Sequence, residues 1–238
     1  MVDAILPLKM QDAVVKRRGK TLLGPASLTV AQTGLTIILG PNGSGKTTLL
    51  RALHGLDRLS EGQINWQTSV QKAQLAQAFV FQAPIMMRRS VRENLSYPLQ
   101  LRGVAQDQIT AAVGNWAARI GLTAALDQPA PQLSGGEKQK LALGRALISD
   151  PQILFLDEPC ANLDGRATRE IEAILHQVQT KGTRILMATH DIGQARRLAT
   201  DVVFLMHGKI IETGDADSFF AQPTTAEAAA LLNGDIVE

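Results

Sequence analysis

Short apolar runs and stretches of helical spacing alternate along most of this chain. Residues 5–16 and 21–30 read as two strands about the turn Arg17-Arg18-Gly19-Lys20. After Gly34, Leu35-Thr36-Ile37-Ile38-Leu39 has the apolar, β-branched character of a buried strand, and residues 47–53 have helical spacing. Leu59-Ser60-Glu61-Gly62 marks a turn, and Gln63-Ile64-Asn65-Trp66 alternates like a strand. Within 75–81, Ala78-Phe79-Val80-Phe81 predicts a buried strand that Gln82-Ala83-Pro84 breaks. Helices follow at Val91–Leu101, 106–120 and 136–148. Strand and helix then alternate: Ile153-Leu154-Phe155-Leu156, a helix over Gly165–Thr180, a strand over Arg184–Ala188, a helix over 192–199 and a strand over 202–206. A short helix is expected over 226–232. This alternation implies a largely parallel sheet covered on both faces. The helical block between 90 and 150 interrupts it and reads as a lobe beside the sheet.

Composition narrows the class. The chain has 238 residues, 45% hydrophobic and 19% charged, enough for one α/β domain with a sizeable core. A formal net charge of +2 argues against a dedicated nucleic-acid binder. Cys160 is the only cysteine, so no intrachain disulfide forms and a reducing compartment is expected. Met1 to Met10 lacks the basic region and long apolar core of a signal peptide. No apolar run reaches the roughly 18 residues of a membrane span. Any membrane contact is therefore expected to go through a partner.

The candidate chemistry begins between the predicted strand at 35–39 and the helix at 47–53. Gly40-Pro41-Asn42-Gly43-Ser44-Gly45-Lys46-Thr47-Thr48 has the spacing G-x-x-x-x-G-K-[ST] of a phosphate-binding loop. Glycines let backbone N–H groups turn inward, and with the helix N-terminus they make an anion cradle. Lys46 supplies a point charge for the β- and γ-phosphates, and the Thr47 hydroxyl suits Mg²⁺. The bland alternative, a glycine turn joining a strand to a helix, explains neither the lysine nor the hydroxyl at these spacings.

A second apolar run, Ile153-Leu154-Phe155-Leu156, ends in Asp157 and Glu158. In open α/β sheets ligands sit beyond the carboxyl ends of strands. Asp157 fits the Mg²⁺-linked acid, and Glu158 is then placed to orient or deprotonate an attacking water. Leu133-Ser134-Gly135-Gly136-Glu137 opens a helix; a capping box from Ser134 to Glu137 accounts for it locally, although a small-residue helix N-terminus also suits an anion. Gln82 could reach Mg²⁺ or water, and His190, after Ile185-Leu186-Met187-Ala188-Thr189, could bond a γ-phosphate. Alone, each is more often structural. His54, His176 and His207 receive the structural reading, and no pair has metal-ligand spacing with Cys160.

Taken in order, the phosphate loop, Gln82, Leu133-Ser134-Gly135-Gly136-Glu137, Leu154-Phe155-Leu156-Asp157-Glu158, Ala161-Asn162-Leu163-Asp164 and His190 resemble the nucleotide-binding subunit of ABC transporters along nearly the whole chain. In that family these are the Walker A motif, Q-loop, signature motif, Walker B with its catalytic glutamate, D-loop and switch histidine. The resemblance implies an α/β fold: a RecA-like P-loop NTPase core, an N-terminal antiparallel β-subdomain and a helical subdomain inserted at about 84–150. Residues 1–238 then form a single ABC ATPase domain. Glu158, His190 and Gln82 are implied in catalysis. The loop from Gly40 to Thr48, with Ser134, Gly135, Gly136 and Asp164, is implied in ATP binding. Thr47, Gln82 and Asp157 are implied at Mg²⁺. A head-to-tail homodimer is implied, with Lys46 of one subunit and Ser134 to Gly136 of the other holding one ATP. The implied partners are integral-membrane permease subunits and, indirectly, a periplasmic or extracellular solute-binding protein. The implied location is the cytoplasmic face of the cell membrane.

Three positions depart from the family pattern. Arg17 and Arg18 stand where an aromatic residue commonly stacks on adenine; a guanidinium plane can also stack on a base. Lys140 and Gly144 replace a common arginine and alanine. Soon after Leu232 the sequence ends, so the regulatory domain of many sugar-importer ATPases is expected to be absent. The stretches 84–91 and 189–199 look most like the ATPases of tungstate-type oxyanion importers, with phosphate and molybdate importers next. Ile85, Met86 and Met87, after the Pro84 break, either pack inside the helical lobe or line a groove for a permease helix.

Overall fold

A computed structural model of the chain describes residues 4–235, so the leaderless reading of Met1 to Met10 falls partly outside the described residues. The elements in order are β1 (Leu8–Arg17), β2 (Lys20–Val30), β3 (Leu35–Leu39), α1 (Lys46–His54), β4 (Glu61–Asn65), α2 (Val70–Leu75), β5 (Gln77–Val80), α3 (Val91–Leu101), α4 (Gln106–Arg119), α5 (Gly135–Leu147), β6 (Ile153–Asp157), α6 (Gly165–Thr180), β7 (Arg184–Ala188), α7 (Ile192–Leu198), β8 (Asp201–Met206), β9 (Lys209–Asp215), α8 (Ala216–Ala221) and α9 (Ala226–Asn233).

Among the described residues β2, β1 and β4 form an antiparallel sheet in that order. The larger sheet has the order β5-β6-β7-β3-β8-β9. Its neighbours from β5 to β8 run parallel, and β9 turns back antiparallel on β8. The core strands β3, β6 and β7 are buried at every position. Their period-2 alternation serves two cores at once. Ile37, Leu154, Leu156, Met187 and Phe204 face the core shared with the helical block and α6. Ile38, Ile153, Phe155, Leu186 and Leu205 face the core shared with the antiparallel sheet and α1. Strands buried on both faces read as continuous apolar runs, which is why these were legible.

The helices α3, α4 and α5 lie between β5 and β6 in the chain and meet at Gly144. A Cβ on Gly144 would lie 3.0 Å from Ile120 Cδ1 and 3.2 Å from Leu95 Cδ2, so the neighbours would have to move to admit alanine. Lys140 donates to Glu170 Oε2 at 2.7 Å and ties α5 to α6. Both departures from the family pattern in this helix thus have local packing partners.

The structure differs from the sequence reading at several edges. The first strand begins at Leu8 rather than residue 5, and Trp66 and Phe81 fall just outside β4 and β5. The short helix α2 differs from the sequence reading: it has only six residues, half of them polar, and its apolar ends Val70 and Leu75 are exposed. The strand β9 has mixed burial at the sheet edge, and α8 spans six residues, so neither carries a clear period.

Candidate active site

The strands β5, β6 and β7 are parallel neighbours, so their carboxyl ends open at one edge of the sheet. That edge gathers Gln82 after β5, Glu158 after β6 and His190 after β7. The phosphate loop joins them from the end of β3, which pairs with β7.

The loop's shape follows from its glycines at two positions. A Cβ on Gly40 would lie 2.1 Å from the Leu205 carbonyl oxygen and 2.6 Å from Ser44 Oγ, so no larger residue fits. Gly45 stands at the N-cap of α1 with φ 105°, in the left-handed region that favours glycine, and no side chain caps that helix end. The first-turn N–H groups of α1 are therefore left to a ligand rather than to a cap. The β8–β9 turn braces the loop, because Gly208 N–H donates to the Ser44 carbonyl at 2.8 Å. Sequence reading missed this brace along with β9.

Lys46 is buried, and its ammonium donates to the Gly40 carbonyl at 2.8 Å and the Pro41 carbonyl at 3.1 Å. Burial pulls its pKa down, while the charges of Glu158 and Asp157 push it back up. The Thr47 hydroxyl donates to Asp157 Oδ1 at 2.9 Å. Burial raises the Asp157 pKa, and this hydrogen bond opposes the rise. Together they present two hard oxygen donors at the foot of the phosphate loop, a set that suits Mg²⁺ completed by phosphate and water oxygens.

Glu158 has φ 45°, an uncommon conformation for a side chain of this size. Its backbone N–H donates to the Ala188 carbonyl at 3.0 Å, which fixes it against β7. Gln82 Nε2 donates to Glu158 Oε2 at 3.3 Å, and His190 Nδ1 lies 3.1 Å from the same oxygen. Gln82 thus reaches the Glu158 carboxylate in this structure. These groups open on a cavity of about 510 Å³ whose lining includes Gly43, Lys46, Thr47, Glu158, Asn162 and His190. Asn162, with φ 60°, lines the cavity; the sequence reading named it within the Ala161–Asp164 motif but gave it no role of its own.

Ser134, Gly135, Gly136 and Asp164 do not line this cavity. Ser134 and Glu137 form a full capping box on α5. A Cβ on Gly136 would lie 3.1 Å from Ala167 Cβ, which places this corner against the first turn of α6. Asp164 caps α6, accepting from Ala167 N–H at 2.7 Å. Arg17 and Arg18 are exposed at the β1–β2 turn. The nearby Leu22 carbonyl oxygen lies 3.1 Å from where a Cβ of Gly45 would stand, so this hairpin adjoins the phosphate loop.

The segment after Gln82 divides. Met86 packs on the core, whereas Ile85 is 76% exposed. Ile85 lines a groove of about 180 Å³ with Phe81, Pro84, Ala142, Arg145 and Ala146.

Comparison with known proteins places this geometry. A family model described as "ABC transporter" matches residues 23–161. The tungstate uptake system ATP-binding protein TupC of Peptoclostridium acidaminophilum is 40% identical over 204 residues, 85% of this chain and 94% of the relative. The phosphate import ATP-binding protein PstB 2 of Natronomonas pharaonis is 35% identical over 237 residues, covering 92% and 84% of the two chains. Among solved structures, cbiO1 of Clostridium perfringens, described as part of the ABC transporter complex cbiONQ, aligns over 92% of both chains with TM-score 0.82 and 29% identity. The ATP-binding cassette MJ0796, solved as a dimer in a post-hydrolysis state with ADP and Pi, aligns over 88% of this chain and 98% of its own. Its TM-score is 0.79 at 23% identity, a likeness of fold.

Proposed function

The chain belongs to the ABC transporter family as an ATP-hydrolysing transport subunit, and we propose that it drives import of an oxyanion, tungstate, through a membrane permease. Its substrate is ATP and its cofactor Mg²⁺. The observation that carries the catalytic reading is the convergence of Lys46, Gln82 and His190 on Glu158, beside the Thr47–Asp157 pair. The phosphate loop and Lys46 hold the triphosphate. Thr47 and Asp157 would hold Mg²⁺, whose charge would offset that of the phosphates. Glu158 orients the attacking water and draws off its proton, with His190 and Gln82 fixing its carboxylate.

Residues 1–238 are read as one ABC ATPase domain, with the helical subdomain at about 84–150. Ser134, Gly135, Gly136 and Asp164 lie outside the Lys46 cavity, and a head-to-tail homodimer would bring them to the partner's ATP. Among the described residues no helix is long and apolar enough to cross a membrane. A peripheral place on the cytoplasmic face, docked on permease subunits and served by a solute-binding protein, fits that chemistry.

Tungstate is favoured by the 40% identity to a tungstate uptake ATP-binding protein across most of both chains; phosphate is the second reading, at 35% identity. The test is ATP hydrolysis by the complete complex in vesicles, with its solute-binding protein and each oxyanion in turn. Stimulation by tungstate is expected. Stimulation by phosphate and not tungstate overturns the substrate while leaving the ATPase in place.

A further inference from the structure

Glu158 and His190 come from different loops, yet their side chains meet at 3.1 Å. One buried amide anchors the loop that carries His190. Gln194 lies in the first turn of α7 and is 2% exposed. Its Oε1 accepts from the Thr189 hydroxyl at 3.1 Å, and its backbone N–H donates to Asp191 Oδ1 at 2.8 Å. Thr189 Oγ1 in turn accepts from Asp191 N–H at 3.1 Å. The residues on either side of His190 are thus both held by Gln194. Toward the other loop, Glu158 N–H donates to the Ala188 carbonyl at 3.0 Å, beside Thr189. The amide is anchored from below: Nε2 donates to Glu172 Oε1 at 3.2 Å, and Arg197 grips Glu172 at 2.7 and 3.1 Å.

We propose that Gln194 is a positioning residue for hydrolysis: by accepting from the Thr189 hydroxyl it fixes the His190 loop, and so sets the distance between His190 and Glu158. Helix packing alone does not require this arrangement. An apolar side chain of similar volume would fill the site but could not accept from Thr189 while donating to Glu172. A satisfied buried network of this kind fixes one geometry, because each broken bond strands a desolvated group. Small displacements of reacting groups cost rate steeply, by up to about a hundredfold for 1 Å. The inference rests on the reading that Glu158 and His190 act in hydrolysis.

The test is a double-mutant cycle on the full-length chain, measuring kcat and the KM for ATP. Gln194→Met should lower kcat about tenfold and leave KM within about twofold. Combined with His190→Ala, it should add almost nothing, because both changes remove the same function. A structural role would instead multiply the two losses. Thr189→Val breaks the same link with an isosteric side chain and decides the matter if Gln194→Met fails to fold. An unchanged kcat in Thr189→Val, or losses that multiply with His190→Ala, overturns the proposal. Glu158→Gln is the control: if it hydrolyses ATP normally, the reading of the site has failed, and the role of Gln194 falls with it for that separate reason.

Discussion

The ammonium of Lys46 stands 3.8 Å from Glu158 Oε1, a near contact between the lysine of the phosphate loop and the carboxylate that closes β6. Both side chains are largely buried, at 6% and 13% exposure, so the attraction is weakly screened. The two residues nonetheless have separable tasks. Glu158→Gln keeps the side chain's shape and removes its basicity, so turnover should fall by roughly 10²–10⁴ while ATP still binds. Lys46→Ala should weaken ATP binding itself. Steady-state hydrolysis and nucleotide affinity separate the two outcomes, and near-normal hydrolysis in Glu158→Gln removes its catalytic assignment. With ATP and Mg²⁺, the Glu158→Gln chain should accumulate as a dimer by light scattering. A dimer that persists when Ser134→Arg is added counts against contact between Ser134 and the partner's nucleotide.

The buried strands and phosphate loop were legible because their signals are local. Leu35 to Leu39 are buried without exception, and the loop's spacing is fixed by backbone geometry at Gly40 and Gly45. Gln82 and His190 are weak signals alone and stood out only within the ordered set of motifs; the parallel order β5-β6-β7 brings both to Glu158. Gln194 could not be read from sequence, because its partners Glu172 and Thr189 meet only in the fold. The three apolar residues after Pro84 look alike in sequence, and their packing separates Met86 from Ile85.

His54 gives a prediction for stability against pH. It is packed edge-on against Phe79 and Phe155, and its Nδ1 is buried without a partner among the described residues. Burial lowers its pKa from 6.5 to about 4. Between those values the unfolded chain binds a proton that the native chain does not, so stability falls as pH drops from 6.5 toward 4. This one group accounts for a slope of up to about 1.4 kcal/mol per pH unit. His54→Leu should therefore lose less stability than the parent between pH 6.5 and 4.5, measured by urea unfolding. Parallel curves for the two proteins would exclude His54 as the source.

Ile85 is the probe of the proposed permease contact. Its side chain is 76% exposed, while its carbonyl is held by the Arg145 guanidinium at 2.9 Å. Arg145 also donates to Asn94 Oδ1 at 3.2 Å, and that oxygen accepts from Met87 N–H at 3.2 Å. The backbone of this segment is therefore fixed, while an apolar side chain is presented to water beside a groove. Leaving such a side chain in water forgoes about 1.5–3 kcal/mol of burial, which a docked helix could recover. Arg88 and Arg89 are exposed nearby and suit acidic groups at the rim. Met86 is a poor probe because it packs on the core, so its substitution would confound folding with docking. Ile85→Glu should change the stability of the isolated chain by less than about 0.5 kcal/mol, as surface changes do, and leave its basal hydrolysis near the parent's. Co-purification with the permease, and uptake, should be lost. A variant that still co-purifies and supports uptake would show that the contact lies elsewhere.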